Sequence, residues 1–216
     1  MPDKAEFEAA IAQITSYAEE FDVEVRDEIK QDYEEDLEVT HIVLQEDNQT
    51  LYVSALEGRQ YFILNYPFNL TSFIANGLSD EDVTEILEDS GFEENPSEEA
   101  GSSDSDKNIK AAQILLSECD SQSLRTLRHQ IGLITTNSTV SIDFHESEDI
   151  PFTGYSLLVY VFPFESDFSL RRFADRLQDL LNAGFRGSES VQFSTRLATP
   201  EDEDSENYQV EIEPGF

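Results

Sequence analysis

An excess of carboxylates is the feature that most restricts how this chain can fold. Its 216 residues contain 47 Asp and Glu against 13 Lys and Arg, which gives a formal net charge of -34. Like charges repel over a Debye length of about 8 Å at physiological salt and about 3 Å in molar salt. An unpaired carboxylate is also costly to bury. The sequence therefore predicts a folded body whose surface is coated with carboxylates.

The rest of the composition excludes a disordered acidic tail. Hydrophobic residues make up 38% of the chain and aromatic residues 11%, enough to build a core in one large domain or two small ones. The acidic composition resembles that of proteins from haloarchaea that accumulate salt in the cytoplasm. This resemblance covers the whole chain and implies a salt-tolerant protein of a halophilic organism, without identifying a family.

The sequence also predicts a compartment. Residues 1–20 contain neither a basic leader nor a continuous apolar stretch, so no secretory signal is predicted and a cytoplasmic location is expected. The most apolar segment, Tyr155–Phe164, is half as long as a membrane-spanning helix, so no membrane contact is expected. The single cysteine, Cys119, excludes an intramolecular disulfide and a multi-cysteine zinc site.

The N-terminal half mixes a helix with a run of strands. Apolar residues at helical spacing predict an amphipathic helix over Ala5–Glu20. Pro67 is expected to stop the last strand, and Ser79 with Asp82 forms a capping-box pattern for a short helix that Gly91 ends. Runs of β-branched and aromatic residues predict an antiparallel meander of four strands, at Phe21–Ile29, Leu37–Leu44, Thr50–Leu56 and Gln60–Tyr66.

A polar, acidic segment separates the two predicted halves. Residues 93–106 are rich in Glu, Ser, Pro, Gly and Asp, and such a run buries too little apolar area to offset its conformational entropy. We therefore predict an acidic flexible linker at 93–106, between an N-terminal α+β half at 1–92 and a C-terminal α+β half at 107–216.

The C-terminal half again combines helices and strands. A helical pattern over Asn108–Ile134 is interrupted at Asp120, which suits a new N-cap. A helix over Ser169–Ala183 is expected to end at Gly184, with Phe185 making the hydrophobic contact of a C-cap. Strands are predicted at Thr139–His145, at Tyr155–Phe162, whose apolar faces indicate a central position, and in a final hairpin of Val191–Leu197 and Asn207–Ile212 around the acidic turn Glu201–Asp204.

The predicted fold class is α+β, with one or more antiparallel sheets packed by amphipathic helices. Tyr61–Phe68 and Leu157–Phe164 both read as an apolar strand closed by Pro-Phe. An internal duplication into two similar halves and a coincidence of two strand ends are both open interpretations of this likeness. The order of elements is similar to that of secretion chaperones and the YbjN group, a resemblance that implies an α+β architecture and transfers no residue.

The sequence predicts no catalytic, cofactor-binding or metal-binding residue. His41, His129 and His145 form no HExxH or paired arrangement. Asp143 and His145 lie two apart on a predicted strand, so their side chains point the same way. Such a pair can share a metal or a proton, and it is also explained as the polar face of a half-buried strand. Residues 184–187 match the GXXG of a KH domain, although a helix C-cap explains them better.

The distribution of charge is more informative than any motif. Residues 107–136 contain four Lys and Arg against two acids, a net charge of +2 in a chain of -34. This segment is either covered by the rest of the fold or forms a surface that contacts another molecule. Three arginines on the following helix add a second basic group. The candidate interface residues are Leu116, Arg125, Leu127, Arg128, Arg171, Arg172 and Arg176.

These observations lead to one expected function and two alternatives. The expectation is a non-catalytic cytoplasmic protein that binds another protein or itself, with a homodimer formed through the helices of Asn108–Ile134. The first alternative is a hydrolase or metal-binding enzyme built from carboxylates and His145. The second is a nucleic-acid-associated protein or a viral structural component, although an acidic surface repels phosphate, so nucleic acid is not an expected partner. Solvated cations are expected to bind without specificity.

Overall fold

The computed structural model describes residues 2–34, 37–46, 49–91, 104–135, 139–148, 150–197 and 210–212. Within these ranges the chain forms six helices, a six-stranded antiparallel sheet and a separate pair of short strands. Four strands follow the first helix in succession instead of alternating with helices. This segregation is typical of α+β proteins and confirms the predicted fold class.

The helices and strands are numbered in chain order. The helices are α1 (Lys4–Glu20), α2 (Leu70–Ala75), α3 (Asp80–Asp89), α4 (Asp104–Glu118), α5 (Ser121–Thr135) and α6 (Leu170–Ser194). The strands are β1 (Glu24–Glu34), β2 (Leu37–Glu46), β3 (Gln49–Leu56), β4 (Phe62–Asn69), β5 (Ser141–His145), β6 (Gly154–Val161), β7 (Thr195–Leu197) and β8 (Val210–Ile212).

The first four strands form an antiparallel meander, as predicted. β2 and β3 pair without interruption from Val39–Leu56 to Glu46–Gln49, and β1 and β4 pair antiparallel on either side of them. The strand order of the sheet is β1-β2-β3-β4-β6-β5. β6 therefore lies inside the sheet, which confirms the central position predicted from its apolar sequence.

The chain forms two compact units. Unit 1 consists of Met1–Pro67, Ile134–Asp143 and Ser156–Gly187, and unit 2 consists of Phe68–Leu133, Phe144–Tyr155 and Ser188–Phe216. In unit 2, helices α2 and α3 pack against α4. Each unit takes residues from both sides of 93–106, and the division of the chain into halves at 1–92 and 107–216 stays a prediction.

One face of the sheet in unit 1 is covered by helices α1 and α6. The ring of Phe7 in α1 contacts the ring of Phe62 in β4 edge-on, with ring centroids 5.5 Å apart. The ring centroids of Tyr17 in α1 and Phe173 in α6 are 6.1 Å apart. Because side chains alternate along a strand, every second residue points toward these helices. We call this buried set the covered face, and its members are Thr40, Ile42, Leu44, Leu51, Val53, Ala55, Phe62, Leu64, Tyr66, Leu157, Val159 and Val161.

α1 begins at a capping box. The carboxylate of Asp3 accepts the N–H of Glu6 at 2.9 Å, and the carboxylate of Glu6 accepts the N–H of Asp3 at 2.9 Å, so two otherwise unpaired amides are satisfied. Most of the stability of such a helix comes from packing its apolar side. The residues on that side that helical spacing predicted are all buried, namely Phe7, Ile11, Ile14 and Ala18.

α6 is longer than the sequence predicted. The prediction that the helix ends at Gly184, with Phe185 in a C-cap contact, was wrong, because α6 continues to Ser194. Gly184 instead allows close packing, since a Cβ at this position would lie 2.8 Å from the ring of Tyr66 on β4. A residue without a side chain is needed where a helix approaches a strand this closely. Phe185 is 56% exposed on the same helix.

The prediction that Pro67 stops the fourth strand was also wrong. β4 continues through Pro67 to Asn69. The β3–β4 register ends at the pair Tyr52–Asn65, so the missing N–H of Pro67 removes no hydrogen bond to β3. Asn69 then caps α2, with its side-chain oxygen accepting the N–H of Ser72 at 2.9 Å. α2 was not predicted from the sequence.

Two helices of unit 2 begin at the capping residues that the sequence indicated. Ser79 forms a capping box with Asp82 at the start of α3, and Gly91 follows its end with a φ of +67°. Asp120 caps α5 by accepting the N–H of Ser123 at 2.8 Å. This hydrogen bond holds the pKa of the Asp120 carboxyl below its usual value. The predicted break between the two helices is confirmed.

Parts of some predicted segments lie outside the described residues. α4 begins at Asp104, inside the range predicted as a linker, and residues 92–103 are not described. The C-terminal hairpin exists as β7 paired with β8, and it is shorter than predicted because residues 191–194 belong to α6. The predicted acidic turn Glu201–Asp204 is not described either.

Candidate functional site

The second face of the sheet in unit 1 is partly exposed, and it is the surface that most resembles a binding site. Its side chains alternate along the strands with those of the covered face. Most are partly exposed, and only Val39 and Ser156 are buried, each at 9% exposure. We call this set the open face, and its members are Val39, His41, Val43 and Gln45 of β2, Thr50, Tyr52, Ser54 and Leu56 of β3, Ile63, Asn65 and Pro67 of β4, and Ser156, Leu158 and Tyr160 of β6, with Tyr61 and Phe162 beside them.

The open face carries no Asp, Glu, Lys or Arg. Charged residues make up 28% of the chain, and most of them are acids. An antiparallel sheet that is covered on one side normally presents polar side chains on the other. The carboxylate coat is therefore interrupted where the ordinary alternation of a sheet would place much of it.

An aromatic cluster occupies one side of the open face. The ring of Tyr61 lies edge-on to Tyr160 with centroids 5.2 Å apart and to Phe162 with centroids 6.4 Å apart. Edge-to-face contacts of this kind fix ring positions and add about 0.5–1.5 kcal/mol per pair beyond area burial. Tyr160 and Phe162 nevertheless each remain 40% exposed. The cluster is ordered by its own contacts while leaving ring surface for a partner.

The polar groups of the open face are neutral, and two pairs of them are hydrogen-bonded to each other. His41 Nδ1 and Ser54 Oγ are hydrogen-bonded at 2.9 Å across β2 and β3. The hydroxyl of Thr50 donates to the side-chain oxygen of Gln45 at 3.1 Å. Because these groups already have partners within the face, covering them with another molecule leaves them hydrogen-bonded.

Carboxylates reappear at the edge strand β1. Ile29, which is 38% exposed, lies opposite His41 and extends the apolar surface onto β1. Asp27 lies opposite Val43, and Glu24 lies opposite Gln45. The open face is thus an uncharged centre with acids at its β1 edge, the distribution typical of an interface core and its rim.

The predicted interface residues fall into two groups, and the two leucines belong to the core. Leu116 is 1% exposed and Leu127 is 0% exposed. Their burial fits the first of the two explanations for the weakly charged segment, that the fold covers it. The interface through Asn108–Ile134 stays a prediction, and of its candidate arginines Arg125 is exposed and Arg128 is partly exposed.

Arg128 joins α5 to the segment around β5. Its guanidinium lies 2.9 Å from a carboxylate oxygen of Glu146, donates to the backbone oxygen of Pro151 at 3.4 Å, and lies 4.9 Å from the ring centroid of Phe144. These contacts combine an ion pair, a hydrogen bond and a cation–π interaction. The arrangement gives Arg128 a structural role inside unit 2.

The arginines on α6 differ in their pairing. Arg172 forms ion pairs with Glu165 at 3.6 Å and with Asp167. Arg171 and Arg176 form no ion pair with any residue that the structure describes, and the same holds for Arg125 on α5. They are the cations of the candidate set that stay available to another molecule.

The residues considered for catalysis do not form a recognisable site. Asp143 and His145 are both exposed on β5. No group of three or more His, Cys, Asp or Glu side chains among the described residues is arranged to hold a metal ion. Burial, Glu118 and Asp120 together raise the pKa of the Cys119 thiol to about 11, so the thiol is protonated and unreactive at neutral pH. The enzyme alternative stays a prediction.

Sequence reasoning missed the open face although the sequence contains a signal for it. Residues 48–56, 58–79 and 150–164 contain no Asp or Glu in a chain with 47 of them. These stretches supply β3, β4 and β6, three neighbouring strands of one sheet. A helix-covered strand needs an acid-free face on one side only, so the absence of acids on both sides indicates a second apolar surface.

Comparison with known proteins adds little. No family model matches the sequence, and no curated protein matches it. A similar solved structure is that of an uncharacterized protein from Methanothermobacter thermautotrophicus, with 12% sequence identity, a TM-score of 0.46 and coverage of 85% of this chain and 97% of that chain. At this TM-score the likeness carries no argument. Among the described residues, no helix has the length and apolarity needed to cross a bilayer.

Proposed function

We propose that this protein is a non-catalytic, cytoplasmic protein-binding protein of a salt-rich cell, and that the open face is its contact surface. The observation that carries the proposal is the uncharged, aromatic surface on four strands of a chain whose net charge is -34. Contiguous apolar surface of this kind on a protein marks an interaction site.

The physical chemistry of association favours this surface over the rest of the molecule. Covering a carboxylate requires removing its hydration, a penalty that an ion pair often fails to repay. Covering the open face removes apolar rings from water, which is favourable, and two pairs of its neutral polar groups are already hydrogen-bonded to each other. Aromatic residues are enriched and charged residues depleted in the cores of protein interfaces, and Tyr is among the commonest hot-spot residues.

Peptide selection on the full chain tests the proposal. Ligands are selected from a random peptide library in molar potassium chloride, and their affinities are then measured for the wild type, Phe162→Glu and Phe185→Glu. Both substitutions place a carboxylate on an exposed Phe, at 40% and 56% exposure, but only Phe162 belongs to the open face.

We expect the selected peptides to lose about tenfold or more in affinity for Phe162→Glu and to bind Phe185→Glu like the wild type, since a buried unpaired charge costs several kcal/mol at an interface. Circular dichroism establishes that both variants are folded. Peptides that bind all three proteins equally, or a library that yields no ligand dependent on Phe162, contradict the proposal.

A further inference from the structure

We infer that the occupant of the open face is a second copy of this chain, placed face to face across a two-fold axis. This inference rests on the proposed function and names its partner. In such a dimer the two sheets pack as the inner layers of a sandwich, about 10 Å apart, with α1 and α6 of each copy outside.

The absence of charge on the open face is the first argument for a second copy. The surface offers no cation or anion with which a charged partner could form specific ion pairs, and electrostatic complementarity is what usually selects a foreign partner. A neutral face meets its own copy without burying any charge. A two-fold interface brings identical patches together, so a surface that is neutral throughout is automatically complementary to itself in charge.

The size of the open face is the second argument. The four neighbouring strands β2, β3, β4 and β6, about 4.8 Å apart, give a width of about 19 Å, and the rise of about 3.3 Å per residue gives a length of about 20 Å from residue 39 to residue 45. The projected area is then roughly 380 Å², and the accessible area of protruding side chains exceeds the projection. A standard interface buries about 800 Å² per partner, so the open face has the size of an interface core to which a surrounding rim adds area.

The chemistry of the side chains agrees with self-packing. The cluster of Tyr61, Tyr160 and Phe162 presents ring edges and ring faces on one surface, so a second copy offers both halves of further edge-to-face pairs. The hydroxyls of Tyr52, Tyr61 and Tyr160 can each donate and accept hydrogen bonds across such a contact.

The net charge gives this dimer an unusual dependence on salt. Each copy carries a formal charge of -34, so the two copies repel each other at low ionic strength and approach freely when salt shortens the Debye length to about 3 Å. Association of two copies therefore strengthens as salt rises. Binding of a cationic partner to the same acidic molecule has the opposite dependence, because salt screens its attraction.

Sedimentation equilibrium of the full chain tests the inference. The dissociation constant is measured between about 0.15 M and molar potassium chloride for the wild type, Phe162→Glu and Phe185→Glu. We expect a wild-type dimer whose dissociation constant falls about tenfold or more as salt rises, a rise of about a hundredfold in that constant for Phe162→Glu, and wild-type behaviour for Phe185→Glu. Ile29→Glu, on β1 next to the open face, serves if Phe162→Glu does not fold.

The outcomes separate this inference from the proposed function. A wild-type chain that stays monomeric in molar salt, or a dimer that Phe162→Glu and Ile29→Glu leave intact, overturns the face-to-face dimer. If the selected peptides still depend on Phe162 in that case, the open face binds another protein and only its occupant was misassigned. If the peptides also ignore Phe162, both the occupant and the proposed function are wrong.

Discussion

The two faces of one sheet show two different roles for surfaces that lack carboxylates in a strongly acidic chain. Both faces are free of Asp and Glu on β3, β4 and β6. The covered face carries large side chains such as Phe62 and Leu64 at 0% exposure beneath α1 and α6. The open face carries Tyr160 and Phe162 at 40% exposure. The absence of acids is required by folding on the first face and by neither folding nor solubility on the second.

This difference separates two uses of apolar surface. Residues on the covered face stabilise the monomer, because their burial is complete within the chain. Residues on the open face contribute little to the monomer and gain their full burial only when another molecule covers them. Substitutions on the covered face should therefore lower the stability of the monomer, and substitutions on the open face should weaken association. The two effects should alternate from one residue to the next along each strand.

The largest expected effect comes from adjacent residues that point to opposite faces of β4. Phe62→Ala removes a fully buried ring that contacts Phe7 of α1, and we expect it to cost about 3–5 kcal/mol of unfolding free energy. Ile63→Ala, its neighbour on the open face, should cost about 1 kcal/mol or less in the monomer. Urea denaturation in molar salt, at concentrations where the chain is monomeric, measures both values.

Equal losses at Phe62 and Ile63 would mean that the sheet is buried on both faces within the monomer, and the distinction between the faces would fail. A large loss at Ile63 that appears only at high protein concentration would instead agree with burial of the open face in a dimer.

The second prediction concerns the closest approach between α6 and the covered face. Gly184→Ala inserts a Cβ 2.8 Å from the ring of Tyr66, and overpacking of this kind costs about 1–3 kcal/mol although Ala favours the helix. Asn182→Ala, at an exposed position of the same helix, should stabilise by about 0.5 kcal/mol. A Gly184→Ala variant as stable as Asn182→Ala would show that α6 does not press on β4.

A buried hydroxyl provides the third prediction. Thr40 lies on the covered face at 0% exposure, and its Oγ1 has no hydrogen-bond partner among the residues that the structure describes. Thr40→Val removes this unpaired group and should raise the free energy of unfolding by about 1 kcal/mol. Thr50→Val, on the open face, removes a hydroxyl that donates to Gln45 and should lower it by about 0.5 kcal/mol. Thermal denaturation of both variants checks this order. A Thr50→Val variant that is more stable than Thr40→Val would contradict it.

The smallest effect is expected from a surface ion pair at the edge of the sheet. Lys30 lies 3.8 Å from Glu38 and 3.7 Å from Glu28, with about half of its side chain exposed. Lys30→Gln should change the free energy of unfolding by about 0.5 kcal/mol or less, and by less still in molar salt. A larger loss that persists in molar salt would show that charge pairs, and not the apolar faces, hold the edge of the sheet.

Much of the fold could be predicted because local patterns decide it. The apolar stripe that starts at Phe7, the capping box of Ser79 with Asp82 and the N-cap at Asp120 each depend on residues three or four positions apart, and the structure agrees with all of them. The antiparallel meander followed from strands separated by short turns, and the central position of β6 followed from its apolar sequence.

The errors came from residues whose role depends on distant parts of the chain. Gly184 resembles a helix terminator in the sequence. The structure instead explains this glycine by its close contact with the ring of Tyr66, more than a hundred residues away in sequence. The candidate interface stays a prediction, and the burial of its Leu116 and Leu127 likewise depends on distant contacts that local charge does not show. The open face likewise forms only when three acid-free strands lie side by side in the sheet. No single local motif therefore predicts it.

Side-chain footprinting across a range of protein concentrations tests the central claim most directly. Hydroxyl radicals are generated in molar potassium chloride, and oxidation of individual aromatic residues is measured by mass spectrometry. The account predicts that Tyr160 and Phe162 become protected as concentration rises, that Phe185 stays reactive, and that Phe62 is protected throughout. Oxidation of Tyr160 and Phe162 that does not change with concentration, or protection that appears at Phe185 instead, would contradict it.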